Sequence, residues 1–117
     1  VVHVVGDVNI SYQGLTRIPV QFGYVSGDFD CFYNQLESLA GCPNEVGIEF
    51  YCGHNRLESL KGGPKEVGED FDCRYNKLES LEGCPSEVGG SFYCMDNMFD
   101  LKPDHNHMKI GGAFEWE

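Results

Sequence analysis

The chain has 117 residues, 41% of them hydrophobic, which suits one domain with a packed core and not two. Its formal net charge of −11 argues against direct binding of DNA, RNA or an anionic membrane, since those partners require a positive surface. The same charge favours a basic partner, or a protein that itself handles nucleic acid; it also serves plain solubility.

The start, VVHVVGDVNI, is apolar but has no basic leader and carries Asp7, so it does not read as a signal peptide. No run of about 18 apolar residues occurs anywhere, so no transmembrane helix is expected. A repeat then begins weakly at Val8, Ile10, Gln13 and Leu15. It sharpens at Phe29, Cys31, Asn34 and Leu36–Leu39. The pattern returns 21 residues on at Phe50, Cys52, Asn55 and Leu57–Leu60, and again at Phe71, Cys73, Asn76 and Leu78–Leu81. Phe92, Cys94 and Asn97 continue it, with Phe99 at the leucine position. Between these blocks Gly-x-Pro recurs at Gly41/Pro43, Gly62/Pro64 and Gly83/Pro85, followed by Val46, Val67 and Val88. Phe114-Glu115-Trp116 reads as a last strand after a 22-residue step. Weak end repeats are expected, because terminal coils meet water on one side.

The unit F-x-C-x-x-N-x-L-E-S-L-x-G-x-P-x-x-V-G resembles the leucine-rich-repeat core L-x-L-x-x-N-x-L, with Phe and Cys at two leucine positions. It is most similar to the short arrays of small bacterial and bacteriophage proteins. The resemblance covers nearly all of residues 1–117 and implies a single leucine-rich-repeat domain. The expected fold is mostly β: a solenoid of about six short parallel strands, with coils starting near residues 8, 29, 50, 71, 92 and 114. Little or no α-helix is expected on the convex side, because no segment carries a sustained 3.6-residue apolar stripe.

Side chains two apart in a strand share a face, so Phe-x-Cys buries both. Stacked coils then set Phe over Phe and Cys over Cys at about 4.8 Å. Asn34, Asn55, Asn76 and Asn97 follow each strand, where the chain leaves the sheet and strands backbone groups; an Asn amide donates and accepts and can satisfy them. In-register cysteines form a line, which suits neither a tetrahedral metal site nor a disulfide. Cys42 and Cys84 share a turn position two coils apart, too far for a bridge. The six cysteines therefore read as small buried hydrophobes and turn residues in a reducing compartment, which points to the cytoplasm, a host's if the gene is a phage's. No metal and no cofactor are expected; Ca²⁺ binding by the acid columns is a less favoured alternative. His105-Asn106-His107 matches an HNH nuclease core in letters alone and reads as a polar turn before the last strand. No G-x-S-x-G elbow, phosphate loop or H-E-x-x-H motif is present, so no enzyme is expected.

The face opposite the core carries what is irregular. The column before Phe is Asp7, Asp28, Glu49, Asp70, Ser91; that between Phe and Cys is Asn9, Asp30, Tyr51, Asp72, Tyr93. The column after Cys is Ser11, Phe32, Gly53, Arg74, Met95, and the next is Tyr12, Tyr33, His54, Tyr75, Asp96. Like charges stacked across strands repel, so these acids are not expected to serve the scaffold. Exposed Tyr, Phe and Met are what protein interfaces enrich. The expected partner-binding residues are Asp28, Asp30, Phe32, Tyr33, Tyr51, Asp70, Asp72, Tyr75 and Tyr93, on the face the resemblance makes concave. The expected function is non-catalytic binding of a protein with a basic surface, as in a phage- or mobile-element-encoded inhibitor of a host nucleic-acid-handling or defence protein. The alternative is a self-assembling structural or adaptor protein that dimerises through the Phe114–Trp116 strand edge.

Overall fold

The computed structural model describes all residues from Val1 to Glu117. It is a right-through stack of coils with no helix, built from twelve short strands in two six-stranded parallel sheets. One sheet holds the phenylalanines: β2 (Val8–Asn9), β4 (Phe29–Asp30), β6 (Phe50–Tyr51), β8 (Phe71–Asp72), β10 (Phe92–Tyr93) and β12 (Phe114–Glu115). These are the six expected strands, and the 22-residue last step is real, since Phe92 registers with Phe114. The other sheet holds the valines: β1 (Val2–Val4), β3 (Phe22–Val25), β5 (Glu45–Val46), β7 (Glu66–Val67), β9 (Glu87–Val88) and β11 (Lys109–Ile110). Val46, Val67 and Val88, expected in the core, lie there, and each also ends a strand that the sequence pattern does not announce. Two-residue strands carry no readable alternation.

The core lies between the sheets. Phe29, Phe50, Phe71 and Phe92 are buried and stack at 5.8, 5.0 and 4.8 Å between successive ring centroids. Phe22 closes the stack edge-on at one end. Phe114 extends it at the other, and His105 lies flat on Phe114 at 3.7 Å. His105 thus opens a turn, which leads into β11 and not directly into the last strand, and also covers the last ring of the core. The leucine pairs, Leu36/Leu39, Leu57/Leu60 and Leu78/Leu81, fill the third side of each coil. Only 11 of the 53 backbone–backbone hydrogen bonds fall within strands, so most of the bonding between coils runs on through the turns.

Two glycine positions set the coil. In Leu39–Cys42, Leu60–Gly63 and Leu81–Cys84 the fourth N–H donates to the first C=O at 3.0 to 3.1 Å. The third residue is Gly41, Gly62 or Gly83, with φ of +99°, +89° and +86°. That is a type II turn, whose third position requires positive φ. Gly47, Gly68 and Gly89 pack differently: a Cβ on each would lie 2.0 Å from the carbonyl oxygen of the coil before.

The asparagine ladder forms as expected. Asn55 Oδ1 accepts from Leu36 N at 2.9 Å, and its Nδ2 donates to Cys31 and Cys52 carbonyls at 3.1 Å. Asn34, Asn76 and Asn97 repeat the pattern. Gln13 fails to bridge coils: its side chain donates to Ser11 O of its own coil. The six cysteines are free thiols, five of them buried. Burial pushes the thiols of Cys42, Cys52, Cys73 and Cys84 up, and that of Cys94 to about 12. Among all six, only Cys84 is half-exposed, with His107 Nε2 at 3.2 Å from its sulfur. No helix is long and apolar enough to cross a membrane.

Candidate functional site

The outer face of the phenylalanine sheet begins with the acid column. Asp28 N donates to Asp7 Oδ1 at 2.7 Å, Glu49 N to Asp28 Oδ1 at 2.9 Å, and Asp70 N to Glu49 Oε2 at 2.8 Å. Ser91 N donates in turn to Asp70 Oδ1 at 2.8 Å. This corrects the expectation that the acids have no part in the scaffold. Between the two sheets the backbone N–H points along the stack with no carbonyl to meet it, and a carboxylate one coil earlier accepts it. A charge-assisted bond to N–H outweighs repulsion between half-solvated like charges. Asp28 and Asp70 therefore hold coils together, each with one oxygen committed.

The next column divides by residue type. Asp30 and Asp72 each use Oδ1 to accept the N–H two residues on, from Phe32 and Arg74, both at 3.1 Å. Asp72 also holds the Arg74 guanidinium through Nε at 3.0 Å and Nη2 at 2.7 Å. The guanidinium carbon lies 5.6 Å from the centre of the Tyr93 ring. Asp72 is thus an internal ion pair and not an open acid. The chain's other ion pair, Lys61–Glu82, lies elsewhere, so Asp30 has no cation. Burial, chiefly, raises the carboxyls of Asp30 and Glu49, helped by neighbouring acids and opposed by the backbone N–H each accepts. Tyr51 stands among Glu49, Asp28, Asp70 and Asp30, and burial with those charges lifts its phenol to about 12.

Folded Asp30 therefore holds its proton more tightly than the unfolded chain does. Its contribution to stability is fullest in acid and is lost as pH rises through the raised folded value. Asp30→Asn keeps an oxygen for the Phe32 N–H and removes the unpaired charge. The variant is expected to melt about 2 °C higher than wild type at pH 7, a gain that vanishes by pH 3. Scanning calorimetry at the two pH values checks this.

The outermost column is an aromatic ladder. Tyr12 stacks on Tyr33 at 4.6 Å, Tyr33 on His54 at 4.0 Å, and His54 on Tyr75 at 4.2 Å. Tyr12, Tyr33, His54, Tyr75 and Asp96 all have φ between +53° and +59°. The left-handed region costs a residue other than glycine about 1 kcal/mol, and stacking of the rings returns a similar amount. The two inner rings are covered on both faces by their neighbours, and Tyr12, Tyr33 and Tyr75 are exposed.

Between this ladder and the Asp30–Tyr93 column lies a hollow of about 390 Å³. Gly53 makes it, because its column neighbours Phe32 and Arg74 have side chains and it has none. Asp30, Phe32, Tyr33, Tyr51, Asp72 and Tyr75, all expected site residues, line the hollow together. Asp28, Asp70 and Tyr93 do not. Gly53, His54 and Arg74 line it too and were not chosen from the sequence, although a glycine in a column of large side chains already marks a gap. No cluster of three or more His, Cys, Asp or Glu side chains is arranged to hold a metal ion. No family model, no curated protein and no solved structure matches the chain.

Proposed function

We propose that the chain is a leucine-rich-repeat protein that binds another protein through this face and catalyses nothing. The observation that carries the reading is the aromatic ladder beside the Gly53 hollow. Rings are held on a left-handed backbone where a scaffold would use glycine or asparagine, and strain kept at adjoining coils is a mark of function. Tyr and Phe edges supply anchor area at low entropic cost, and a chain of net charge −11 favours a basic partner. The likeness of the repeat to short arrays in small bacterial and bacteriophage proteins supports an inhibitor of a host nucleic-acid-handling or defence protein, working in the host cytoplasm. The alternative, a homodimer through the Phe114–Trp116 edge, draws less support, since His105 and Lys102 already cover the Phe114 ring.

Affinity capture from bacterial lysate tests the binding face. The wild-type chain is compared with a Tyr33→Ser/Tyr75→Ser variant, whose exposed rings are removed without touching the core. A partner held by the wild type and lost from the variant is expected. Recovery of the same proteins in equal amounts by both would overturn the reading.

A further inference from the structure

One acid–tyrosine pair of the sheet holds an arginine of the chain, and a second pair in the same register holds none. In the first, Asp72 grips the Arg74 guanidinium with two oxygens, and the ring of Tyr93, one coil on, lies beside it. Asp72 and Tyr93 are direct register partners in the sheet. Asp30 and Tyr51 are register partners in the same way, two coils earlier. Asp30 turns the backbone with the same bond to the residue two on, at the same 3.1 Å. What differs is the residue in Arg74's place. There the chain has Phe32, whose ring turns towards Tyr12 and Tyr33, at 5.2 and 4.9 Å. The next member of that column is Gly53 instead of Met95, so the space above Tyr51 is part of the hollow.

We infer that Asp30 and Tyr51 form a site for a guanidinium group, supplied by an arginine side chain of the partner protein. The inference rests on the binding face proposed above for the source of the arginine. Asp30 offers a half-buried carboxylate with no cation, and Tyr51 offers a half-buried ring that lines the hollow. Asp28, Glu49 and Asp70 surround that ring with further negative charge. A planar, bidentate and weakly hydrated cation fits this pair better than an ammonium does. The unpaired charge on Asp30 is kept at a cost to stability, as at many binding sites.

The test is a titration of the folded, isotope-labelled chain with N-acetyl-arginine amide, followed by amide shifts in two-dimensional NMR. Saturable shifts at Asp30, Phe32, Tyr51 and Gly53 are expected, at least about tenfold weaker in Asp30→Asn. N-acetyl-lysine amide should bind more weakly. Arg74→Ala, checked for folding by its spectrum, should gain a second set of saturable shifts at Asp72 and Tyr93. Absence of saturable shifts at Asp30, equal binding of the lysine compound, or shifts that persist in Asp30→Asn would overturn the site. Stronger binding of free arginine than of the capped form would overturn a partner protein as the source. If the arginine compound fails while Tyr33→Ser/Tyr75→Ser still loses its partner, this inference falls and the binding face stands.

Discussion

Gly68→Ala is expected to be among the most damaging single-methyl changes in the chain, lowering stability by about 4 kcal/mol. The added Cβ would lie 2.0 Å from Gly47 O and 2.8 Å from its carbonyl carbon, both backbone atoms that cannot swing aside. Relief requires the two coils to separate along the valine sheet. That lengthens the bond from Gly68 N to Val46 O, now 2.9 Å, and disturbs the Val46 and Val67 packing beneath it. A solenoid is bonded only between neighbours, so a break at the centre uncouples the two halves. Urea unfolding should show an earlier midpoint and a shallower slope, or two transitions in place of one. Ser26 is the control. It holds the same column position at the first coil, where the β1–β3 register shifts between Val2 and Val4. Ser26→Ala should lose only the bond its hydroxyl accepts from Gly6 N, about 1 kcal/mol. Equal losses at both positions would show that the close approach at Gly68 is not what sets the cost.

The valine–glycine pair illustrates what was legible in the sequence and what was not. The 21-residue step placed Phe, Cys, Asn and Leu on the core side, and every one of those stacks forms, because in-register parallel coils admit no other pairing of identical residues. The valine sheet was hidden, since its strands are two residues long and are made by pairing between coils instead of by local preference. The role of the acid column was missed for a related reason. Like-charge repulsion can be read from a list of side chains, whereas the orphan N–H that each acid accepts exists only once both sheets are in place. The nine candidate site residues were found as columns, but their grouping depended on an absence, the missing side chain of Gly53. Asp72, expected to bind the partner, is instead paired with Arg74 two residues on, a fold-back that residue spacing alone does not show.

Asn76→Ala should cost about 2 kcal/mol. The side chain, 8% exposed, accepts from Leu57 N at 3.0 Å and donates to the carbonyls of Cys52 and Cys73 at 3.1 Å. Alanine leaves the buried Leu57 N–H without a partner, a loss of about 1–3 kcal/mol, while the Cys52 and Cys73 carbonyls each lose one of two bonds and keep the one from Asn55 or Asn97 Nδ2. Asn97 makes equivalent bonds at a half-exposed end position, so water can replace them there and Asn97→Ala should cost about half as much. Asn76→Asp separates the two functions of the amide. Its carboxylate still accepts from Leu57 N but sets negative charge against the two carbonyls that Asn76 Nδ2 now serves. Protonation restores one donor and removes the charge, so the folded form of this variant holds its proton more tightly than the unfolded chain. Its stability should therefore rise, relative to wild type, as pH falls from 7 to 4, the reverse of ordinary acid denaturation. Urea midpoints at the two pH values read this directly. A deficit in Asn76→Asp that does not change with pH would mean that donation to the Cys52 and Cys73 carbonyls is not what the ladder supplies.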